Sequence, residues 1–372
     1  MSAAAPTAGT AATGAGRHLV LPGQTPEGGY VLAVLLKRTY DVVPGGRCTR
    51  AADDRKLVPA DHPYGDPLCT SVELESDFVP FKLATDVVLN GAAYAPGGGT
   101  VHELTASLEV AGRRKDVLVM GDRVARHRPD GPPFFTEPLP FTRMELVYER
   151  AYGGVDVYSD PRVPCMYARN PVGRGFAVAN APRAVEGLAL PNLENPADRL
   201  TSERLLLGHF MHWERQPLPC GFGWWGKTWW PRAPLAGVMP ADRAAERELR
   251  QAYLPLVPLS QRELYAQTEL PDMDFRFFNG ASPGLALPFL RGDETVHTMN
   301  LSPRGHLAFA LPGERPRMAL DLGEGPREEA VVLHTVMIRM EDGQLDLVWR
   351  MAVPYPGPDW LPQMTRIEVL VQ

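Results

Sequence analysis

The feature that most constrains the fold of this chain is a long stretch, residues 151–232, in which glycine and proline recur at short intervals. Glycine reaches positive φ values, and proline fixes φ while removing a backbone donor, so these residues shape turns. Ordinary loops are much shorter, so the stretch predicts a structured irregular layer over a scaffold. Its most compact segments are Ala151-Tyr152-Gly153-Gly154, Asn170-Pro171-Val172-Gly173-Arg174-Gly175, Leu190-Pro191-Asn192-Leu193-Glu194 and Pro219-Cys220-Gly221-Phe222-Gly223.

The regions on either side of this layer carry strand signals. Residues 30–43 are rich in β-branched and aromatic side chains and run into the turn Pro44-Gly45-Gly46, with a second strand expected near Cys48. Alternating runs follow at residues 83–89, 103–110 and 115–120, the last two joined by a tight turn at residues 111–113. Further strands are predicted at residues 295–301, 307–311, 330–340 and 345–353, with Glu341-Asp342-Gly343 as a hairpin turn.

These signals predict a mainly β protein with antiparallel sheets in two packed β-rich parts, a long Gly/Pro-rich loop layer and a few short helices. The predicted parts are a disordered tail (1–17), an N-terminal β-rich part (18–130), a loop-rich middle layer (131–270) and a C-terminal β-rich part (271–372). Helices are expected at residues 196–210 and 242–254, and a capping box at residues 260–263.

Composition excludes several classes of function. The net charge of −6 and a pI near 5.9 argue against a nucleic-acid or anionic-membrane partner. Residues 2–16 lack the apolar core of a secretory signal, and no run approaches the ~20 apolar residues that span a bilayer. The four cysteines form no CxxC pair, so we expect reduced, mostly buried thiols. A cytoplasmic protein without cofactor or metal is therefore expected.

Two groups of residues suggest chemistry without establishing it. Glu73, Glu75 and Asp77 alternate along a possible strand, so they could face one side and bind a cation or act as acid and base; a solvated strand face is the alternative. His209 and His212 are three residues apart, with Glu214 and Cys220 downstream, but this spacing fits no familiar zinc signature, and ordinary hydrogen-bonded histidines explain it. There is no GxSxG nucleophile motif and no Walker sequence.

The candidate partner-binding residues form a tryptophan cluster, Trp224, Trp225, Trp229 and Trp230, followed by Arg232. Such a cluster can bind sugar, bind protein, or fix the loop layer to the sheets. Because closely spaced tryptophans cannot all point inward from one loop, we expect one pair to be buried and the other partly exposed beside Arg232. Arg276, between Phe275 and Phe277 in a strand-like run, is expected to pair with Asp293 or Glu294.

Segments along residues 19–354 resemble domain-of-unknown-function family 2169. Besides the loop-layer segments above, they include Glu75-Ser76-Asp77-Phe78, the run Thr85 to Pro96, Gly121-Asp122-Arg123, the run Asp274 to Asn279, the run Leu290 to Glu294, and Leu311-Pro312. A Thr-Tyr-Asp motif typical of the family is replaced here by Ala236-Gly237-Val238-Met239.

The resemblance implies a non-enzymatic adaptor or chaperone, because genes of this family lie beside type VI secretion spike and effector genes. The implied partners are a secreted effector and/or a spike protein of the VgrG/PAAR type; the oligomeric state, and whether the adaptor travels with the spike, are left open. The alternative is a carbohydrate-active or other hydrolytic enzyme that uses Glu73, Glu75 and Asp77 near a Trp-lined groove.

Overall fold

A computed structural model describes residues 18–159, 162, 164–206, 215–237, 273–363 and 368–371. The predicted disordered tail, the predicted helix at residues 242–254 and the capping box at residues 260–263 lie outside these ranges.

The described residues are mainly β, as predicted. Their strands are β1 (His18–Gln24), β2 (Tyr30–Asp41), β3 (Thr49–Arg50), β4 (His62–Pro63), β5 (Val72–Leu74), β6 (Thr85–Asn90), β7 (Ala92–Tyr94), β8 (Glu103–Val110), β9 (Arg113–Met120), β10 (Ala125–Arg126), β11 (Phe134–Phe135), β12 (Arg143–Glu145), β13 (Tyr152–Gly153), β14 (Val155–Asp156), β15 (Cys165–Met166), β16 (Arg174–Gly175), β17 (Leu193–Glu194), β18 (Ala286–Leu287), β19 (Thr295–Met299), β20 (Leu307–Ala310), β21 (Met318–Asp321), β22 (Pro326–Glu328), β23 (Val331–Arg339), β24 (Gln344–Pro354) and β25 (Glu368–Val371).

The largest sheet has seven strands in the order β1-β2-β24-β23-β6-β18, with β3 also paired to β2. Strand β2 runs antiparallel to β24 from Val31↔Pro354 to Asp41↔Gln344, and β23 runs parallel to β6. The predicted turn after residue 43 leads into β3, and the predicted hairpin at residues 341–343 joins β23 to β24, so both local predictions are confirmed.

A five-stranded sheet has the order β17-β9-β8-β19-β20. The predicted turn between β8 and β9 is present, with positive φ at Ala111 and Gly112. Both large sheets combine strands from before and after the loop layer. They share one hydrophobic core, which includes Leu32 and Leu347 from the first sheet and Leu108, Val119 and Val296 from the second.

The loop layer has a smaller core of its own. Its buried residues lie between Ala125 and Leu205, and Trp230 packs against them. Within it the Tyr167 ring stands edge-on to Tyr152 and lies tilted against Phe176. Short strands, two short helices, α1 (Pro182–Val185) and α2 (Ser202–Leu206), and 3₁₀ turns surround it. In the described residues the 3₁₀ helices are Pro96–Gly98, Tyr148–Arg150, Ala233–Ala236, Phe275–Phe278 and Pro358–Gln363.

The predicted start of the helix at residue 196 is wrong. Residues 195–198 form a turn in which the Asn195 side chain accepts a hydrogen bond from the Ala197 amide at 3.0 Å. Helix α2 begins only at Ser202, where Thr201 Oγ1 accepts from the Arg204 amide at 3.2 Å and so caps the first turn. Both Asn195 and Thr201 are residues that can cap a helix, and the helix begins after Thr201. Residues 207–210 of the predicted helix lie outside the described ranges.

Candidate functional site

The tryptophan cluster is mostly internal. Trp224, Trp225 and Trp229 are only 3–5% exposed, and Trp230 is half-buried. Trp225 and Trp229 stand edge-on to the buried Tyr148 ring, with centroid distances of 5.8 and 5.3 Å. The expected division into a buried and an exposed pair is therefore wrong. Gly226 explains why: a Cβ there would lie 2.6 Å from the Trp229 ring, so glycine lets that ring turn inward against the backbone.

Arg232 is also buried, and it fixes the loop layer to distant parts of the chain. Its two terminal nitrogens donate to the two carboxylate oxygens of Glu75, each at 2.6 Å. Nη1 also donates to the Trp225 carbonyl and Nε to the Phe277 carbonyl. The expectation that Arg232 lies beside exposed tryptophans is wrong, because all of its donors point into the protein.

The three alternating carboxylates neither share one face, as a cation or acid–base site would require, nor form a solvated strand face, since Glu75 is buried. Only Glu73 lies within a strand, β5, while Glu75 is bound by Arg232. The Asp77 carboxylate accepts from Lys37 Nζ and from the Val58 amide, both at 2.8 Å. Glu75 and Asp77 therefore join segments of the fold, and Glu73 alone faces an open cleft.

The conceivable zinc ligands are not assembled in the described part of the chain. His209, His212 and Glu214 lie outside it, and Cys220 is buried, which raises the pKa of its thiol. Within the described residues no group of three His, Cys, Asp or Glu side chains could hold a metal ion.

Arg276 differs from its prediction in both structure and partner. Residues 275–278 form a 3₁₀ helix, not a strand, because the Asp274 side chain caps it by accepting from the Arg276 amide at 2.9 Å. The exposed guanidinium turns back onto the same Asp274 carboxylate and does not reach Asp293 or Glu294.

A charged surface cleft of about 530 Å³ among the described residues could accept a ligand. It lies where β5, β6, β12, the Tyr148–Arg150 turn and the ends of β23 and β16 meet. Four arginines and five acidic residues line it: Arg143, Arg150, Arg174, Arg339, Glu73, Glu145, Glu149, Glu341 and Asp342.

Most of these charges are already matched. Arg143 pairs with Glu341, and hydrogen bonds from Arg143 hold the pKa of Glu341 below its usual range. Arg339 donates to Asp346 at 3.1 and 3.2 Å. Glu149 accepts from the Ser71 amide and hydroxyl at 2.7 and 2.6 Å. The Asp342 carboxylate accepts from Arg55 at 2.8 Å.

Arg150 and Arg174, which we call the arginine pair, are held side by side. Nη1 of each donates to Asn192 Oδ1, at 3.3 and 3.2 Å. Asn192 is fully buried, and its own amide donates to the Met120 carbonyl and to Asp122, both at 3.0 Å. Arg174 Nε is fixed by the Glu149 carbonyl at 2.9 Å. The amide orientation of Asn192 thus aligns both guanidinium groups.

Close backbone contacts hold the turn that carries the arginine pair. The buried Asn170 amide donates to the carbonyls of Tyr148 and Tyr152 at 2.8 and 3.1 Å, one on each side of Arg150. Gly153 has φ of +150°, and a Cβ there would lie 2.1 Å from the Asn170 carbonyl oxygen. Any other residue at this position would displace the backbone.

Sequence reasoning missed the arginine pair, although a signal was present. Arg174, Asn192 and Asp122 each belong to a segment quoted above for the family resemblance, and Arg150 directly precedes another. The glycine and proline residues of these segments predict turns and assign no role to the charged side chains among them. Turn formation alone does not require an arginine, so an arginine or asparagine inside a glycine- and proline-rich segment indicates a further role for that side chain.

A second polar cluster lies inside the protein, apart from the cleft. Lys115 Nζ contacts Ser282 Oγ and the Pro283 carbonyl, and the Tyr148 hydroxyl donates to Ser282 Oγ at 2.8 Å. Burial lowers the pKa of Lys115 to about 8. Ser282 is fully buried, so this cluster links β9, the Tyr148 turn and the segment before β18 without opening to a ligand.

Comparison with known proteins gives one match. The model of a family described as uncharacterized protein conserved in bacteria (DUF2169) matches residues 27–350. No curated protein and no solved structure matches the chain. Among the described residues, no helix is both long enough and apolar enough to cross a membrane.

Proposed function

Since the chain belongs to the DUF2169 family of proteins conserved in bacteria, we propose that it is an adaptor or chaperone that holds a type VI secretion effector and helps load it onto the secretion spike. Such a protein works by surface complementarity. A stable interface of this kind buries on the order of 1,200–2,000 Å² around a few apolar anchors.

The observation that supports protein binding is an exposed apolar hairpin formed by β14 and β15. Val155 and Met166 are direct cross-strand partners, so their side chains share one face of the hairpin. They are 46% and 55% exposed, and the next residues, Val157 and Tyr158, are 42% and 55% exposed. Contiguous exposed apolar side chains are typical of protein-contact surfaces.

Asp156 connects the apolar hairpin to the neighbouring backbone. The carboxylate accepts from the amides of Tyr158 and Ser159 at 2.8 and 2.9 Å, and from the Val178 amide at 2.8 Å. Its side chain is buried while its neighbours are exposed, so the hairpin is tied to the loop layer. A pre-formed surface loses less entropy on binding than a loose one.

The hydrolase alternative gains no support from the same residues. Glu75 and Asp77 are held in ion pairs with Arg232 and Lys37, and the buried tryptophans do not line the cleft that Glu73 faces. A glycosidase requires two carboxyl groups facing one substrate.

The adaptor proposal is tested in a bacterium that encodes this chain and secretes through an active type VI apparatus. Deleting the coding sequence should remove one cargo protein from the culture medium while the tube protein continues to be secreted. Quantitative mass spectrometry of the medium measures both. Unchanged cargo secretion after deletion would refute the adaptor function.

The hairpin surface is tested separately by complementation. Met166→Asp should fail to restore cargo secretion, because a charge at a contact centre costs about 2 kcal/mol or more, roughly thirtyfold in affinity. Met299→Asp is the matched control, since Met299 is an exposed methionine on a different sheet, 38% exposed. If both variants restore cargo secretion equally while the deletion still abolishes it, the contact surface lies elsewhere on the protein. The proposed adaptor function would then still hold.

A further inference from the structure

We propose that the arginine pair, Arg150 and Arg174, is a binding site for an oxyanion that bridges the two guanidinium groups in the charged cleft. The ligand is a carboxylate or phosphate group with at least two acceptor oxygens. This inference does not depend on the adaptor function, because it rests only on the geometry of the cleft.

The first argument is the supply of unused donors. In the described part of the chain, Arg150 donates only through Nη1, and Arg174 only through Nε and Nη1. Nε and Nη2 of Arg150 and Nη2 of Arg174 therefore remain available. Guanidinium groups bind carboxylates and phosphates through two parallel N–H donors, so a pair of them suits one oxyanion.

The second argument is electrostatic. Two guanidinium groups that share one amide oxygen repel each other, and burial together with the Arg150 charge lowers the pKa of Arg174. The nearest carboxylate, Asp122, lies 3.7 and 4.0 Å from the pair, is largely exposed, and is not part of the cleft lining. It neutralises the pair only partly, so an anion entering from the cleft would be favoured.

The third argument is that the site is already built. Asn192 is fully buried, its Oδ1 accepts from both arginines, and its Nδ2 is held by the Met120 carbonyl and Asp122. The side chains of the pair are only 28% and 30% exposed. Little reorganisation is needed when a ligand arrives, which favours binding.

Glu73 sets a further condition on the ligand. Its carboxylate lines the same cleft and makes no hydrogen bond or ion pair with the described residues. A simple anion is repelled by it, whereas a ligand that also carries a donor would be tolerated. Removing the charge of Glu73 should therefore strengthen the binding of a simple anion.

The experiment is isothermal titration calorimetry of the full chain in a chloride buffer of low ionic strength, with inorganic phosphate and succinate as separate probes. The wild-type chain should bind at least one of them. Arg150→Gln and Arg174→Gln should each weaken that binding about tenfold or more, since each removes charged hydrogen bonds. Glu73→Gln should tighten it several-fold.

Arg143→Gln is the matched control, because Arg143 lines the same cleft but is already paired with Glu341. It should leave the affinity within about twofold of wild type. A melting curve shows whether Arg174→Gln unfolds the turn at Glu149. If it does, the other two variants test the proposal, because Arg150→Gln should lower the affinity for the anion and Glu73→Gln should raise it. Binding of phosphate alone identifies a phosphate-bearing ligand, and binding of succinate alone a carboxylate-bearing one.

Failure of the wild-type chain to bind either probe would overturn the proposal. So would equal weakening in Arg143→Gln and Arg150→Gln, which would show only a diffuse positive potential.

Discussion

At the scale of single residues, Lys115 shows how a half-buried side chain whose charge is partly desolvated makes stability depend on pH. Its pKa is lowered from 10.5 to about 8 by burial, so the unfolded chain holds the proton more tightly than the folded one. Folding stability should therefore rise as pH increases from about 8 towards 10.5. Below pH 8 the folded protein carries the full free-energy cost of desolvating the charged Lys115 ammonium.

We predict that Lys115→Met removes this increase, because methionine fills similar space without a titrating group. Urea unfolding midpoints of both proteins at pH 7.5 and 9.5 measure it. Subtracting the pH profile of the variant from that of the wild type cancels the contributions of titrating groups that both proteins share, such as the buried tyrosines. Parallel pH profiles for the two proteins would show that the Lys115 ammonium is well solvated.

The tryptophans give a second prediction at this scale. Trp225→Ala should lower the free energy of unfolding by about 3–5 kcal/mol, because it empties a site packed against Tyr148 and Trp229. Trp230→Ala should cost less than half as much, since Trp230 is half-buried. Denaturant titrations provide both values. Equal costs would mean that the two rings contribute alike to the core.

The residues of the arginine pair could not be identified as a site from sequence. Arg150 and Arg174 are 24 positions apart, and their alignment depends on Asn192, a third segment. Local patterns report on neighbours along the chain, whereas this contact is made by three separate turns. Arg276 is the opposite case: its partner Asp274 is only two residues away, whereas the expected partners Asp293 and Glu294 are distant along the chain.

At the scale of elements, the turns between neighbouring antiparallel strands are predicted correctly, whereas the helix start at residue 196 and the strand at residues 275–278 are not. The hairpins β2/β3, β8/β9 and β23/β24 are connected at the turns predicted from residues 44–46, 111–113 and 341–343. The parallel pairing of β23 with β6 and the strand order of the large sheet could not be predicted, because no turn sequence connects those strands. Two-residue strands in the loop layer, such as β13 and β16, are too short to leave a periodic pattern.

The apolar hairpin provides the prediction at this scale. Burial alone would raise the pKa of Asp156, but hydrogen bonds from Ser159, Val178 and Tyr158 outweigh it and bring the pKa below its usual value. The carboxylate therefore stabilises the fold above the usual carboxyl pKa, and this contribution is lost as pH falls through the lowered one.

Asp156→Asn should cost about 1–3 kcal/mol, because it weakens several charge-assisted hydrogen bonds at once. The protection factors of the Tyr158, Ser159 and Val178 amides, which correct for the intrinsic exchange rate at each pH, should fall in the variant at neutral pH and in the wild type only in acid. An unchanged exchange rate in Asp156→Asn would show that strand pairing alone holds the hairpin.

At the scale of the whole molecule, the two ends of the described chain are interleaved. Strand β2 pairs with β24 from Val31 to Asp41, and β6 pairs with β23, so each of the two large sheets contains strands from both flanks. The larger hydrophobic core draws on both large sheets and therefore on both flanks. This arrangement favours all-or-none folding over the independent folding of two β-rich units.

We predict that residues 18–130 do not fold alone. Without β23 and β24, the buried residues Val34, Val87 and Leu89 would be left open to water on strands that lack their partners. Near-ultraviolet circular dichroism and a thermal melt of this fragment should show no cooperative transition, whereas residues 18–372 should melt like the full chain. When residues 18–130 and 131–372 are produced together, the long β2–β24 pairing should bring them into one complex that co-purifies and melts cooperatively. A cooperative melt of residues 18–130 by themselves would instead establish an autonomous N-terminal unit.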